Sequence, residues 1–238
     1  MIVPELVINT ATVVVRGSFD VKPLAPQNLA DQGLIDNDQL SDATQRFNTD
    51  DISIFETKRI KFLGNRELLQ FTAQEADEFE PLRDFASGAL RILDSPQIGV
   101  LGINRDVHFA VGSAAKWHAV GDTLVPKAIW ENLLNYPGTT SLTIQGMRSG
   151  IYSGFSQITI QPSNFVPQGV FVSHNDHYTL EIEEARLASR DQFAASLRQQ
   201  AKVTSDKLPL AIRILNEEWE ASMARAQAVI EQVAKLAQ

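Results

Sequence analysis

The chain has 238 residues, of which 44% are hydrophobic and 21% are charged, and its net charge is −8. This composition excludes a disordered, collagen-like or disulfide-stapled protein. Because the sequence contains no cysteine, it excludes cysteine nucleophiles, thiolate-bound zinc and iron–sulfur clusters. Lysine and arginine form no run, and the chain is acidic overall, so the sequence disfavours nucleic acid as a partner.

The N-terminus is the first place to look for a targeting signal. Residues Met1 to Glu5 have no basic segment and lead into no apolar core of the kind found in signal peptides. No window approaches the roughly 18 apolar residues that a membrane helix requires. We therefore expect no signal peptide, no contact with a membrane and, by default, a cytoplasmic location.

The first part of the chain predicts a mixture of strands and short helices. A valine-rich strand is expected at 5–19, followed by a short helix at 27–34 and a polar loop at 35–50. Residues 52–62 and 68–72 are predicted to form a hairpin. A helix with an apolar stripe is expected at 77–94, because acids occupy its first turn.

Residues 98–111 form the clearest strand pattern in the sequence. The odd positions Leu101, Ile103, Val107, Phe109 and Val111 form an apolar face, whereas the even positions Asn104, Asp106 and His108 form a polar face. One face of the predicted sheet is therefore covered and the other is open or functional. Further elements are expected after it: short helices at 113–121 and 126–134, and strands at 140–147, 154–161 and 168–180.

The composition changes after residue 180. From Glu181 onward the chain holds twelve alanines and no glycine, which predicts helices. The last helix is expected at 208–236, and its apolar residues recur along one face: Ile212, Leu215, Trp219, Met223, Ala226, Ile230 and Val233. This stripe either packs on the sheet as core, pairs with another chain, or forms a hairpin with residues 182–203.

These elements together predict an α+β fold, a mainly antiparallel sheet with helices packed on one face and a C-terminal helical extension. We expect a sheet domain at 1–180 and the helical extension at 181–238. The sequence shows no internal repeat.

Known catalytic and nucleotide-binding motifs are incomplete. The segment Gly112–Trp117 lacks the second glycine and the hydroxyl residue of a phosphate-binding loop. In Gly146–Gly150 the serine stands one place too late for a hydrolase nucleophile elbow. The sequence therefore favours a protein that is not an enzyme and has no catalytic residues, no cofactor and no bound metal.

Two alternatives would make the chain a metal-dependent nuclease or hydrolase. In the first, His174 and Asp176 share a strand face and join Asp106 and His108 from a neighbouring strand in a polar site that also includes Asn104. In the second, Glu56 and Lys58 share the face of a predicted strand, as in metal-dependent nucleases. For the first set, a polar ladder on the sheet surface or hydrogen-bonded core histidines are the simpler interpretations. For the second set, the simpler interpretation is a cross-strand ion pair. A small-molecule site on the open sheet face is a third possibility.

Several short sequence segments between about residues 97 and 180 resemble segments of a group of uncharacterised bacterial proteins. The segments are Leu101–Arg105 with His108–Phe109, Trp117–His118, Pro126–Lys127 with Trp130, Ser141–Ile144, Val170–Val172 and Asn175–Tyr178. The resemblance implies a bacterial or phage-encoded α+β protein and a place in a bacterial multi-protein system such as antiviral defence. It implies no activity and no catalytic residue.

We therefore predict a soluble subunit or adaptor that acts through protein–protein contact. The predicted contact surface is the C-terminal helix, through which the chain forms a homo-oligomer or binds a protein partner within residues 206–238. Trp219 is its expected anchor, because buried aromatic side chains dominate interface energies. Deleting residues 206–238 is expected to change the oligomeric state or to abolish partner binding.

Overall fold

A computed structural model describes residues 4–148, 150–180 and 203–237. In these residues one antiparallel sheet has the strand order β2-β3-β4-β5-β1-β6-β9-β8-β7. The strands are β1 (Leu6–Ser18), β2 (Thr44–Asn48), β3 (Ile52–Glu56), β4 (Ile60–Asn65), β5 (Leu68–Ala73), β6 (Gln97–Ala110), β7 (Leu142–Met147), β8 (Gly154–Pro162) and β9 (Gly169–Tyr178). The α-helices are α1 (Pro26–Asp31), α2 (Asn37–Asp42), α3 (Phe79–Ile92), α4 (Ala114–Leu124) and α5 (Leu208–Lys235). The predicted α+β class is confirmed.

The two faces of the sheet differ because side chains alternate along each strand. On β1 the residues Ala11, Val13 and Val15 are buried, and they share clusters with helix residues such as Leu82 and Trp219. We call this side the covered face. The opposite side, the open face, carries polar residues, and no helix of the described residues buries its apolar stripe there.

The sheet is built from two halves with the same order of elements. In each half a central strand is followed by helical turns, a meander that returns to that strand, and a long helix on the covered face. The first half contains β1 to β5 and ends in α3; the second contains β6 to β9 and ends in α5. The halves join where β1 pairs with β6, Val13 opposite Ile103. The expectation of no repeat is therefore wrong at the level of topology, although the sequence gives no sign of it.

The polar segment predicted as a loop at 35–50 is wrong, because it holds α2 and β2. The missed signal is a capping box: Gln39 N donates to the Asp36 carboxylate at 2.7 Å, and the Gln39 side chain accepts from Asp36 N.

The hairpin predicted from residues 52–62 and 68–72 is confirmed in part: β4 pairs antiparallel with β5, but residues 52–62 form two strands and not one. The Thr57 hydroxyl accepts from Arg59 N and Ile60 N at 3.2 and 3.0 Å and turns the chain between β3 and β4. The helix predicted at 126–134 is absent, and that segment forms turns.

Helix α5 belongs to the core of the sheet. It packs on β6, β9 and α3, and its predicted stripe residues Leu215, Trp219, Ile230 and Val233 are buried, while Ile212 and Met223 are partly buried against the same cores. The stripe is therefore covered by its own chain, which was one of the alternatives the sequence left open. The expected hairpin partner at 182–203 lies outside the described residues except for Val203.

The boundary predicted at residue 180 does not separate two cores, because Trp219 shares a cluster with residues of β1 and β6. A helix of 28 residues is about 42 Å long, and a nine-stranded sheet is wide enough to cover it. Deleting residues 206–238 would consequently remove part of the core and would not report on assembly alone.

Among the described residues, none of the helices is both long and apolar enough to cross a membrane.

We predict that Trp219→Ala lowers the free energy of unfolding by about 3–5 kcal/mol, because it removes a fully buried aromatic side chain and leaves a cavity. Urea unfolding followed by circular dichroism measures the change. Asn216→Ala, an exposed position of the same helix, is the control and should change the free energy by less than about 0.5 kcal/mol. Equal effects of the two substitutions would contradict the placement of α5 in the core.

Candidate functional site

The polar site predicted from sequence is divided between the two faces of the sheet. Asn104 pairs with Asn175 and Asp106 with Ser173, whereas His174 pairs with Arg105 and Asp176 with Ile103. Paired residues of an antiparallel ladder point to the same side. Asn104, Asp106 and His108 therefore lie on the open face, and His174 and Asp176 lie on the covered face. The five residues cannot form one site, and this hypothesis is wrong.

The open face carries a polar row that crosses all nine strands. Each member pairs with the next across a strand boundary, and none is apolar: Thr44, Glu56, Lys61, Thr72, Thr12, Asn104, Asn175, Gln157 and Gln145. The Thr12 and Thr72 hydroxyls are hydrogen-bonded at 3.1 Å. Cross-strand pairs of this kind stabilise the sheet itself. Of the residues in the predicted polar site, Asn104 belongs to this row, whereas Asp106, His108, His174 and Asp176 do not.

Asp106 and His108 have separate surroundings on this face. Burial raises the pKa of Asp106, although a hydrogen bond with Ser173 acts in the opposite direction. His108 Nδ1 lies 2.8 Å from the Ser163 hydroxyl, its ring packs against Phe171, and burial lowers its pKa. Within the part of the chain that the structure describes, no three His, Asp or Glu side chains are grouped to hold a metal ion.

Asp176 is the centre of a buried ionic cluster between the sheet and α5. Its side chain is 0% exposed, and Arg225 of α5 donates to its Oδ2 from Nε and Nη2 at 2.9 and 2.6 Å. Ser156 donates to its Oδ1. The Arg148 guanidinium lies 3.6 Å from Asp176 and donates to Glu218 at 2.7 Å. These contacts connect α5 to β8 and β9.

The charges in this cluster balance one another. Burial tends to raise the pKa of Asp176, but hydrogen bonds from Ser156 and Arg225, together with nearby His174, hold it below its usual range. Burial lowers the pKa of His174 and raises that of Tyr178, whose ring lies 3.9 Å below the Arg148 guanidinium. Because Asp176 and His174 are closed off from solvent, the cluster holds the helix in place and does not receive a substrate.

Glu56 and Lys58 also differ from the predicted arrangement. Glu56 ends β3 and forms a 2.8 Å ion pair with Lys61 on β4, directly opposite it. Lys58 lies in the turn after the strand, where its backbone N–H donates to Asp42 at 3.2 Å. The two residues therefore do not share a strand face, and the Glu-x-Lys hypothesis is wrong. The simpler interpretation, a cross-strand ion pair, describes Glu56.

The structure adds a pocket that the sequence did not indicate. It measures about 810 Å³ and lies between α4, the 127–139 segment and the covered face of β7, β8 and β9. We call it the α4 pocket. Its apolar lining includes Val120, Leu124, Leu134, Leu142, Pro162, Ile160 and Val170, and its polar lining includes His118, Asp122, Lys127, Glu131 and Gln161. A pocket of this size and character accommodates a large side chain or a small ligand.

Two anchors hold the wall of this pocket. Trp117 Nε1 donates to the carbonyl of Gly169 at 3.0 Å and fixes α4 against β9. Lys127 Nζ donates to the carbonyls of Gly121 and Val125 at 3.1 and 2.7 Å, and to the Thr139 hydroxyl. The ammonium therefore satisfies carbonyls at the end of α4 and is already fully engaged.

Apolar side chains are exposed along the 129–136 segment, of which Leu134 and Tyr136 line the pocket. Leu133 is 74% exposed and Leu134 is 55% exposed, and Ile129, Trp130 and Tyr136 are exposed beside them. In other soluble proteins, clustered apolar exposure is often found at interaction surfaces. In the sequence, the spacing of the apolar residues at 129–134 led to the prediction of a helix in this segment. Pro126 and Pro137, which border the segment, argue against that helix.

Comparison with known proteins adds no identification, because neither a known protein-family model nor a curated protein matches this chain.

We predict that the free energy of unfolding decreases as the pH falls from 7.5 to 5. Burial lowers the pKa of His174, so the unfolded chain, whose histidines titrate near about 6.5, takes up the proton first and is favoured. His108 and His177 act in the same direction, since burial lowers the pKa of each.

Urea unfolding at several pH values measures this slope. In His174→Gln one of the three contributions is lost, so the slope between pH 7.5 and 5 should be shallower than in the wild type. An unchanged slope in this variant would show that His174 does not contribute.

Proposed function

We propose that the chain is a non-enzymatic subunit that acts by binding another protein, and that the α4 pocket is its binding site. One observation carries this proposal: a pocket with an apolar lining opens beside the exposed side chains of Leu134 and Tyr136, at the end of the sheet beyond α5. Interfaces are dominated by a few large apolar side chains that enter such pockets. The contact is therefore placed at the α4 pocket and not on the stripe of α5, which the sheet covers.

The polar groups at the pocket define the chemistry of the partner. The acids of the lining are Asp122 and Glu131; the exposed Asp122 forms a 3.8 Å ion pair with Lys127, so Glu131 supplies the negative charge that this pair does not neutralise. The one lysine of the lining, Lys127, is largely buried and already bonded to three oxygens. We infer that the partner presents a large apolar side chain flanked by lysine or arginine, because the chain as a whole is also acidic.

The proposal includes two predictions made from the sequence. They are a cytoplasmic location and a place in a bacterial multi-protein system such as antiviral defence. The resemblance described above supports the second of them.

Selection of a displayed random-peptide library on the immobilised full-length chain tests the proposal. Enriched peptides should contain a large apolar residue with neighbouring lysine or arginine. Leu134→Glu should weaken the best synthetic peptide by about tenfold or more, because it places a charge in the apolar lining. Fluorescence anisotropy of the labelled peptide measures the affinity.

Leu133→Glu is the matched control for this experiment. It introduces the same charge at the adjacent leucine, which is more exposed and does not line the pocket. Its effect on peptide affinity should stay below about threefold. A library without enriched peptides, or equal losses in both variants, would contradict the proposal.

A further inference from the structure

Strand β7 is an edge of the sheet without the usual protection. Its sequence, Leu142 to Met147, contains no charged residue and no proline, and it pairs with β8 without a register shift. Ile144 is 52% exposed and Met147 is 47% exposed. Natural edge strands are normally guarded by charges, prolines, bulges or short length, because their free backbone groups pair readily with another strand.

The opposite edge of the same sheet shows such protection. Strand β2 pairs with β3 through a register shift between Gln45 and Phe47. Such a bulge discourages the addition of a further strand. The contrast between the two edges indicates that β7, and not β2, is built to be paired.

Comparison of the two halves of the sheet shows that the second half has one strand fewer at this edge. The meander of the first half has four strands, β2 to β5, whereas that of the second half has three, β7 to β9. Counting outward from β1 and β6, strand β7 corresponds to β3. No strand of the described residues therefore takes the place beside β7 that β2 takes beside β3 in the first half.

A second copy of β7 suits this place. Antiparallel pairing about a two-fold axis perpendicular to the sheet keeps the helices of both copies on one side. Paired residues share a face, so Ile144 adds apolar contact on the covered face and Met147 on the open face. Two chains of net charge −8 repel one another, and an uncharged edge is where they approach with least repulsion.

We propose that two copies of the chain pair through β7 and form one continuous sheet of eighteen strands. This inference rests on the proposed role as a subunit and adds a second contact to it. The contact is the sheet edge and not the α4 pocket.

Cysteine cross-linking tests the contact directly, because the natural chain has no cysteine. Thr143→Cys and Gln145→Cys occupy exposed open-face positions of β7. After mild oxidation, at least one of these variants, or their mixture, should form a covalent dimer, and the combination that reacts identifies the register. Asn48→Cys on β2 is the matched control and should remain monomeric. No dimer in any β7 sample would overturn the proposal.

Light scattering over a concentration series gives the independent measurement. The wild type should be a dimer, and Gln145→Lys should raise the dimer dissociation constant by about tenfold or more, because the pairing brings like charges together. Circular dichroism should show an unchanged fold, since the position is exposed. Leu134→Glu should remain dimeric, so loss of peptide binding and loss of dimerisation are separable.

Other occupants of the edge give different results. A wild-type monomer whose β7 amides are protected from hydrogen exchange would overturn the proposal and assign the edge to another segment of the same chain. A monomer that dimerises only with a foreign strand would also overturn it. In either case peptide binding at the α4 pocket is unaffected, so the proposed function is judged separately.

Discussion

The pairing of β1 with β6 is the contact on which the rest of the structure depends. It joins two halves that each contain a central strand, a meander and a long helix on the covered face. Without it, each half would expose a long apolar strand edge, and α3 and α5 would lose their contact above the seam. Because the central strands β1 and β6 pair with each other, the only unpaired edges of the described sheet are β2 and β7. The position of the possible docking edges is therefore a consequence of this one pairing.

The second constraint is the burial of charge beneath α5. A carboxylate without solvent is costly unless it is fully paired, and Asp176 meets this condition with Arg225, Arg148 and Ser156. Apolar packing alone would let a long helix slide along the sheet, since its stripe repeats at each turn. The ionic cluster allows only one position, because Arg225 reaches Asp176 from one place on the helix. This interpretation gives the cluster a structural role and directs the search for function to the surface.

Near α4 and β7, helix α5 no longer covers the sheet. Helix α5 covers β6 and β9, so the outer part of the covered face is left to α4 and the 127–139 segment. The α4 pocket and the exposed β7 edge are two results of this incomplete cover. The proposed function uses the first for an apolar anchor of a partner protein, and the proposed dimer uses the second for a strand.

The sequence by itself determined the α+β class, the long central strands and the span of the last helix, because these depend on local periodicity and composition. The alternation around Ile103 and the stripe around Trp219 are strong signals of this kind. It also placed Asn104 and Asp106 on a polar face. Only the tertiary structure decided that His174 and Asp176 lie on the other side, since strand register depends on pairs such as Arg105–His174 and Ile103–Asp176, which are 69 and 73 residues apart in sequence. The same holds for the repeat, the burial of the α5 stripe and the α4 pocket, because each arises from contacts between elements that are distant along the chain.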